Sequence, residues 1–455
     1  MKKVIHTLLT ALILIGFSVI LVAKDIPLVS LKLSDIEQKT AENSPRLKAS
    51  QKETEAFIKR SESAKAQLFP KLNFEGSYRY ISVIPEIDIP IKGFGSLKLG
   101  DNTNYSIGPA LYWTVWDKNA IRNNWLSFKS QATSKKYETE TIERQIMLAA
   151  RVAYFQAGLA NEQVLLLSDA LKVLQAQYED IVINVKAGAK SRMDELSAHQ
   201  EVIIKMKQLR TARSYLAQCL DDLSALTNEK YGDNPMVPFS AGIIENLPKN
   251  ITSPTLFLEI EPVDALIKKF EKYKKSKLSE NHPNVISMEE LAESAKLLSK
   301  SISSGLWPKL QFSARTSLDY PNGPKLEAIN QNALGVNLTW ILFEGSASRK
   351  KSQENILLGE AQTEKRNQVL RDLQKEWQKL IDQLADLEEQ KVLNEQYVSE
   401  AKELSKIVYS SYKAGSANFI DVQNANYRLL EAKTQSVKTK FQILVNLVTM
   451  ASLAE

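Results

Sequence analysis

The chain of 455 residues has a single cysteine, Cys219, which excludes an intramolecular disulfide framework and any zinc or iron–sulfur site built on several cysteines. Leu209, Ala212, Leu216, Leu223 and Leu226 fall with it on one 3–4 spaced stripe, so Cys219 reads as a seam residue and not as a nucleophile. Histidine is nearly as scarce. His6, His199 and His282 stand in no recognised metal spacing, so most of the chain lacks the commonest acid–base and ligand group, and the sequence reads as a non-enzyme with no cofactor. Gly93-Phe94-Gly95-Ser96 lacks the third glycine and the following helix of a phosphate loop, and reads as an ordinary loop. Long apolar runs are missing too: with a mean hydropathy of −0.26 and one uncharged run, Val4 to Ala23, a multi-pass helical membrane protein is excluded. Lys2 and Lys3 before that run, and Lys24-Asp25 after it, have the layout of a secretory leader, with cleavage expected after Ala23; the long apolar core and the large Leu21 leave an uncleaved membrane anchor as the alternative. No cysteine follows for lipid attachment, and without the leader the net charge of +6 falls to about +4, no basis for binding nucleic acid.

Proline and glycine are absent from long stretches. No proline occurs between Pro109 and Pro235 or after Pro324, and Gly158 is the only glycine between Lys118 and Lys186. A helix over that last span would be on the order of 100 Å long. Leu167, Leu171, Leu174, Tyr178, Ile181 and Val185 keep the 4-3-4-3-4 spacing of a coiled-coil seam. Gly188 breaks the helix, and a second one follows from about Met193 to Glu229.

What is present is repetition. Leu68-Phe69-Pro70-Lys71-Leu72 returns as Leu306-Trp307-Pro308-Lys309-Leu310, with Pro70 and Pro308 separated by 238 positions, as are Pro45 and Pro283. Trp113 to Asp117 reappears as Trp340 to Glu344, and Lys186-Ala187-Gly188 with Asp194 as Lys413-Ala414-Gly415 with Asp421, both 227 apart. One connection between the proline and the tryptophan is therefore shorter in the second copy. Each copy also holds two period-two segments, such as Leu72, Phe74, Tyr78 and Tyr80 alternating with Asn73, Glu75, Ser77 and Arg79. The plan predicted is mainly α within an α+β class: a leader at 1–23; repeat 1 at 24–232, with strands about 71–84 and 104–116 and a helical hairpin about 118–230; a linker and equatorial region at 233–281; and repeat 2 at 282–455, with strands about 309–320 and 332–343 and a hairpin about 347–453. Pro85 to Asn102 and Pro321 to Gln331 read as loops.

A soluble sandwich would show the same alternation, but the aromatics favour lipid. Phe69, Trp113, Trp116, Trp307, Trp340 and Phe343 gather at the strand ends nearest the helices, while Tyr78, Tyr80, Tyr105 and Tyr320 lie nearer the loops. Two such belts flank the apolar band of a transmembrane barrel. Four strands cannot close a barrel, since open edges in lipid leave backbone groups unpaired, so chains must combine; counting alone leaves eight strands from two chains and twelve from three both open. Six lysines between Lys268 and Lys277 read as a solvated helix face.

The doubled motifs, together with Trp340-Ile341-Leu342-Phe343-Glu344-Gly345 and Tyr412-Lys413-Ala414-Gly415-Ser416-Ala417-Asn418-Phe419-Ile420-Asp421-Val422, resemble the TolC-type outer-membrane efflux family over nearly all of the mature chain. The resemblance implies a homotrimer whose twelve-stranded barrel sits in outer-membrane lipid and continues into an α-helical coiled-coil tunnel in the periplasm. Its function would be passive export in a tripartite efflux or type I secretion system, with an inner-membrane pump supplying energy and a periplasmic adaptor, a membrane fusion protein, docked at the hairpin tips around Gly188, Arg192 and Gly415. At the periplasmic entrance, Asp421 matches the first position of the family's aspartate ring and Asn424 stands at the second. Tyr412 and Asp194 match a linking tyrosine and aspartate; the linking arginine is replaced by Ala417, with Arg192 or Lys190 as substitutes. By physical argument alone, Asp194 and Asp421 also favour the starts of the return helices. The rival readings are an adaptor-like periplasmic protein, which normally has one hairpin, and a structural coiled coil, which needs no aromatic belts.

Overall fold

The computed structural model describes residues 28–88, 93, 95–231 and 257–454; the expected leader and most of the expected linker lie outside the described residues. The chain divides into two compact units. Among the described residues, one comprises 28–36, 153–231, 257–265 and 391–441; the other comprises 37–88, 93, 95–152, 266–390 and 442–454. In chain order the elements are β1 (Leu28–Leu31), α1 (Leu33–Asn43), α2 (Pro45–Ala66), β2 (Lys71–Tyr80), β3 (Glu86–Asp88), β4 (Ser96–Lys98), β5 (Thr103–Trp116), α3 (Ala120–Lys186), α4 (Arg192–Thr227), β6 (Phe257–Ile260), α5 (Val263–Phe270), a 3-10 turn (Glu271–Lys275), α6 (Pro283–Ser304), β7 (Lys309–Tyr320), β8 (Ile329–Thr339), α7 (Ala347–Lys413) and α8 (Phe419–Ala454). None of the described helices is long and apolar enough to cross a membrane.

In the second unit, β2, β5, β7 and β8 form one antiparallel sheet in that order, with β2 and β8 as edges. The register carries the apolar residues of each strand onto one face: Leu72 pairs with Leu111, Trp113 with Phe312, Leu310 with Leu338, and Phe312 with Val336. Pro109 has no N–H to donate and interrupts the ladder between Ile107 and Ala110 toward β7. Gly108 beside it lets the strands touch there, since a Cβ at that position would lie 2.1 Å from the Thr316 carbonyl oxygen.

Several boundaries differ from the sequence expectation. The strand β2 stops at Tyr80 because Asn102 captures the next residue, its carbonyl accepting from the Ile81 N–H and its Nδ2 donating to the Ile81 carbonyl, each at 2.7 Å. The fourth runs Ile329–Thr339, so Trp340 to Phe343 lie past its end; its partner β7 begins at Lys309, which pairs with Thr339. Within the stretch read as a loop, β3 and β4 make a short ribbon, Ile87 opposite Leu97, tied by a Ser96–Glu86 hydrogen bond of 2.7 Å.

The two helices that enter strands begin alike. Ser44 caps α2 by accepting from Leu47, His282 caps α6 through Nδ1 by accepting from Asn284, and each is followed by a proline. Burial, reinforced by the Arg144 charge, pushes the His282 imidazole down to about 4. Buried hydroxyl pairs join the helices of this unit, Ser127 with Ser294 at 3.0 Å and Ser299 with Ser352 at 2.8 Å.

The first unit is a helical packing with the parallel β1–β6 ribbon against it, Tyr154 donating to the Leu31 carbonyl at 2.9 Å. Its seam buries Leu171, Leu174, Val202, Met206 and Leu209, with Leu167 and Tyr178 packed on them. Cys219 is buried on the same stripe as Leu216 and Leu223, and burial pushes its thiol up, which keeps it protonated and inert.

Candidate functional site: helical tips and membrane face

The two hairpin tips are built by the same local rules. Gly188 and Gly415 adopt φ of 72° and 82°, the left-handed conformation that lets α3 and α7 end in a Schellman turn. The closing bonds correspond: Ala189 N–H to the Asn184 carbonyl at 2.8 Å, and Ser416 N–H to the Ser411 carbonyl at 2.9 Å. The return helices then start on equivalent caps. Ser191 Oγ accepts from the Asp194 N–H at 3.1 Å, and Asn418 Oδ1 from the Asp421 N–H at 2.9 Å. There the two aspartates part. The Asp421 carboxylate turns back to the Asn418 N–H at 3.2 Å, completing a reciprocal capping box, while Asp194 Oδ2 accepts the Tyr412 hydroxyl of the other hairpin at 3.4 Å.

Tyr412 is the centre of this tip. It is buried with Ile181, Ala198, Phe419 and Val422, and Ala417 packs against the same cluster, an apolar contact where the family pattern puts an arginine. Of the two cations expected to substitute, Lys190 reaches Tyr412. Its Nζ donates to the Tyr412 carbonyl at 2.8 Å and sits 3.9 Å from the ring centroid, a hydrogen bond and a cation–π contact in one residue. Arg192 instead pairs with Glu195 on its own helix. Burial, with Asp194 alongside, pushes the Tyr412 hydroxyl up to about 12, so it stays a donor at neutral pH.

A second tie was missed by sequence reasoning. Asp180 accepts from the Tyr409 hydroxyl at 2.9 Å and pairs with Lys413 Nζ at 2.9 Å, and hydrogen bonds from Lys413 and Tyr409 hold its carboxyl below the usual carboxylate range. The only signal was a charge flanking Ile181 in the seam. Asp421 and Asn424 are exposed three residues apart on α8, hence on one helix face. Asn424 also borders a cleft of about 350 Å³ with Lys205 and Tyr427; burial pushes the Lys205 ammonium down.

The strand face is the other candidate surface. Lys71, Glu75, Arg79, Lys309, Arg315 and Asp319, the six charged residues of the four strands, all fall on one side by register. The opposite side carries no charge. It exposes Phe74 at 75%, Leu334 at 80% and Leu338 at 67%, with no element of the described chain over it. Among the belt residues, Trp113 Nε1 donates to the Leu68 carbonyl and Trp340 Nε1 to the Leu306 carbonyl, each at 3.1 Å, while Trp307 lies 4.6 Å from Lys118 Nζ. Trp116 joins the face across a bulge opposite Leu310, Phe343 is exposed beyond β8, and Tyr78 and Tyr80 are exposed at the loop end of β2. Tyr105 and Tyr320 stack at 5.1 Å across the same end.

A profile of the family described as Outer membrane efflux protein matches residues 37–229 and 276–454. The chain belongs to this family. Against Outer membrane protein TolC of Escherichia coli (strain K12), this efflux protein is 22% identical over 476 residues, spanning 99% of this chain and 86% of that one. Its fold is similar to VceC of Vibrio cholerae, with a TM-score of 0.71 at 15% identity over 93% of this chain and 96% of that one. It is likewise similar to the open state of MtrE of Neisseria gonorrhoeae, with a TM-score of 0.69 at 14% identity over 93% and 88% of the two chains. The protein is thus an outer-membrane efflux protein.

Proposed function

We propose that the channel works as a homotrimer, three four-stranded sheets closing a twelve-stranded barrel, and passes cargo outward in a tripartite efflux or type I secretion system. An adaptor and an inner-membrane pump supply contact at the tips and energy. The observation that carries this reading is the segregation of charge in the sheet: one face uncharged, apolar and exposed, the other holding all six charges. A barrel in lipid presents its apolar face outward and its polar face to the lumen. Edges β2 and β8 are free in one chain, and unpaired backbone at membrane depth costs several kcal/mol per group, so neighbouring copies complete the ladder.

At the entrance, the Tyr412–Asp194 and Lys190–Tyr412 contacts tie the tip of one hairpin to the other, and Asp421 and Asn424 face the pore. Three copies of Asp421 form a ring that attracts cations at a constriction. Reconstitution of purified protein in planar bilayers tests the reading: unitary conductance steps with block by divalent cations added at the helical side are expected. Asp421→Asn retains a capping acceptor but removes the charge, and weakens the block. Protein that gives no conductance in lipid overturns the channel reading; unchanged block in the variant removes Asp421 from the pore.

A further inference from the structure

The lysines of Lys268 to Lys277 have no part in the channel reading, and the structure shows what they present. α5 buries Leu266 and Phe270 on its inner face, and the Arg151 guanidinium lies 5.6 Å from the Phe270 ring. Lys274 is engaged with Glu271 and Glu388. The other five, Lys268, Lys269, Lys272, Lys275 and Lys277, are exposed and form no ion pair among the described residues. The fold therefore pins the segment by its apolar side and turns to solvent a run of ammonium groups without a carboxylate partner, of which Lys269 and Lys272 also lie over the Phe270 and Tyr273 rings.

Its position follows from helix geometry within one compact unit. Arg151 lies 31 residues into α3 and Glu388 lies 41 residues into α7. At 1.5 Å per residue these contacts hold the lysine segment about 45 to 60 Å along the helices from the strand ends. Lipid headgroups occupy only about 5 to 7 Å beyond the hydrocarbon on each side, so they do not reach it. A protein partner fits poorly as well, since no large apolar side chain between residues 266 and 280 is exposed and interface cores are depleted in lysine. What fits is a hydrated, extended polyanion met at mid-periplasmic depth.

We propose that this face binds the free carboxylates of the cell-wall glycan-peptide polymer and holds the channel in register with the wall. The position assigned to the surface rests on the channel reading, because depth is measured from strands placed in the outer membrane. Trimer in lipid nanodiscs is mixed with purified wall sacculi and sedimented over a salt series, alongside a variant with Lys268, Lys269, Lys272, Lys275 and Lys277 changed to Gln. The wild type pellets with the wall at low salt and is released by about 0.5 M salt. The variant binds about tenfold more weakly, and amidating the wall carboxylates has the same effect on the wild type. Equal sedimentation of variant and wild type, binding that survives high salt, or retention only by an added acidic protein overturns the proposal. Bilayer conductance of both preparations is recorded in parallel, so a failed channel reading shows there and not in the pellet.

Discussion

Tyr412 does two jobs that can be separated by one oxygen atom. Its ring fills the cluster of Ile181, Phe419 and Val422, and its hydroxyl reaches Asp194 on the other hairpin. Tyr412→Phe keeps the packing and removes the tie, so it is expected to raise the open fraction in single-channel recordings at a stability cost of no more than about 1 kcal/mol. Lys190→Met is expected to act in the same direction, because it removes both the carbonyl bond and the ring contact. His282 sets a pH dependence elsewhere. Its folded pKa of about 4 lies below the ordinary 6.5, so between these values the unfolded chain takes up a proton that the folded chain refuses. Stability is therefore fully present above about 6.5 and declines as pH falls toward 4. His282→Asn keeps a capping acceptor without the titration, and the difference in urea midpoint between it and the wild type should shrink as pH is lowered through that window. A difference that does not change with pH would contradict the assignment.

At the scale of elements, the contact between β5 and β7 is the most demanding, since it joins the two repeats. Gly108→Val places a side chain against the Thr316 carbonyl and Ser317 backbone, and should abolish the heat-modifiable oligomer on gels. Gly76→Ala, whose Cβ meets only the Ile107 side chain at 3.8 Å, should leave it intact. The alternation of Leu72 and Phe74 with Asn73 and Glu75 is legible in sequence because a strand's side chains have a period of two, and the seam from Leu167 to Val185 because a coiled coil repeats at 3.5. The ribbon of β3 and β4 is not legible, since three residues a side carry no period. Nor is the Asp180–Tyr409–Lys413 tie, whose members stand 229 and 233 positions apart and meet only once both hairpins have packed. Lys190 and Arg192 are alike in charge and two residues apart; the turn after Gly188 decides which one meets Tyr412. The Trp113 and Trp340 indoles show the same limit: their doubling is visible at 227, but their bonds to the Leu68 and Leu306 carbonyls depend on where the chain enters the strand.

For the whole molecule, the account depends on a sheet that has nothing of its own to cover its apolar face. Phe74, Leu334, Val336 and Leu338 would lose water in lipid at roughly 1.5 to 3 kcal/mol each, a driving force that no described element of the chain supplies. Free edges at β2 and β8 add the requirement for copies. The proposed trimer, three chains closing one barrel, would meet both demands together. The decisive measurement is the mass of the intact complex extracted from outer membranes in mild detergent, by native mass spectrometry. Three copies per particle, falling to one on heating, is the result predicted; a single copy recovered without detergent would contradict it.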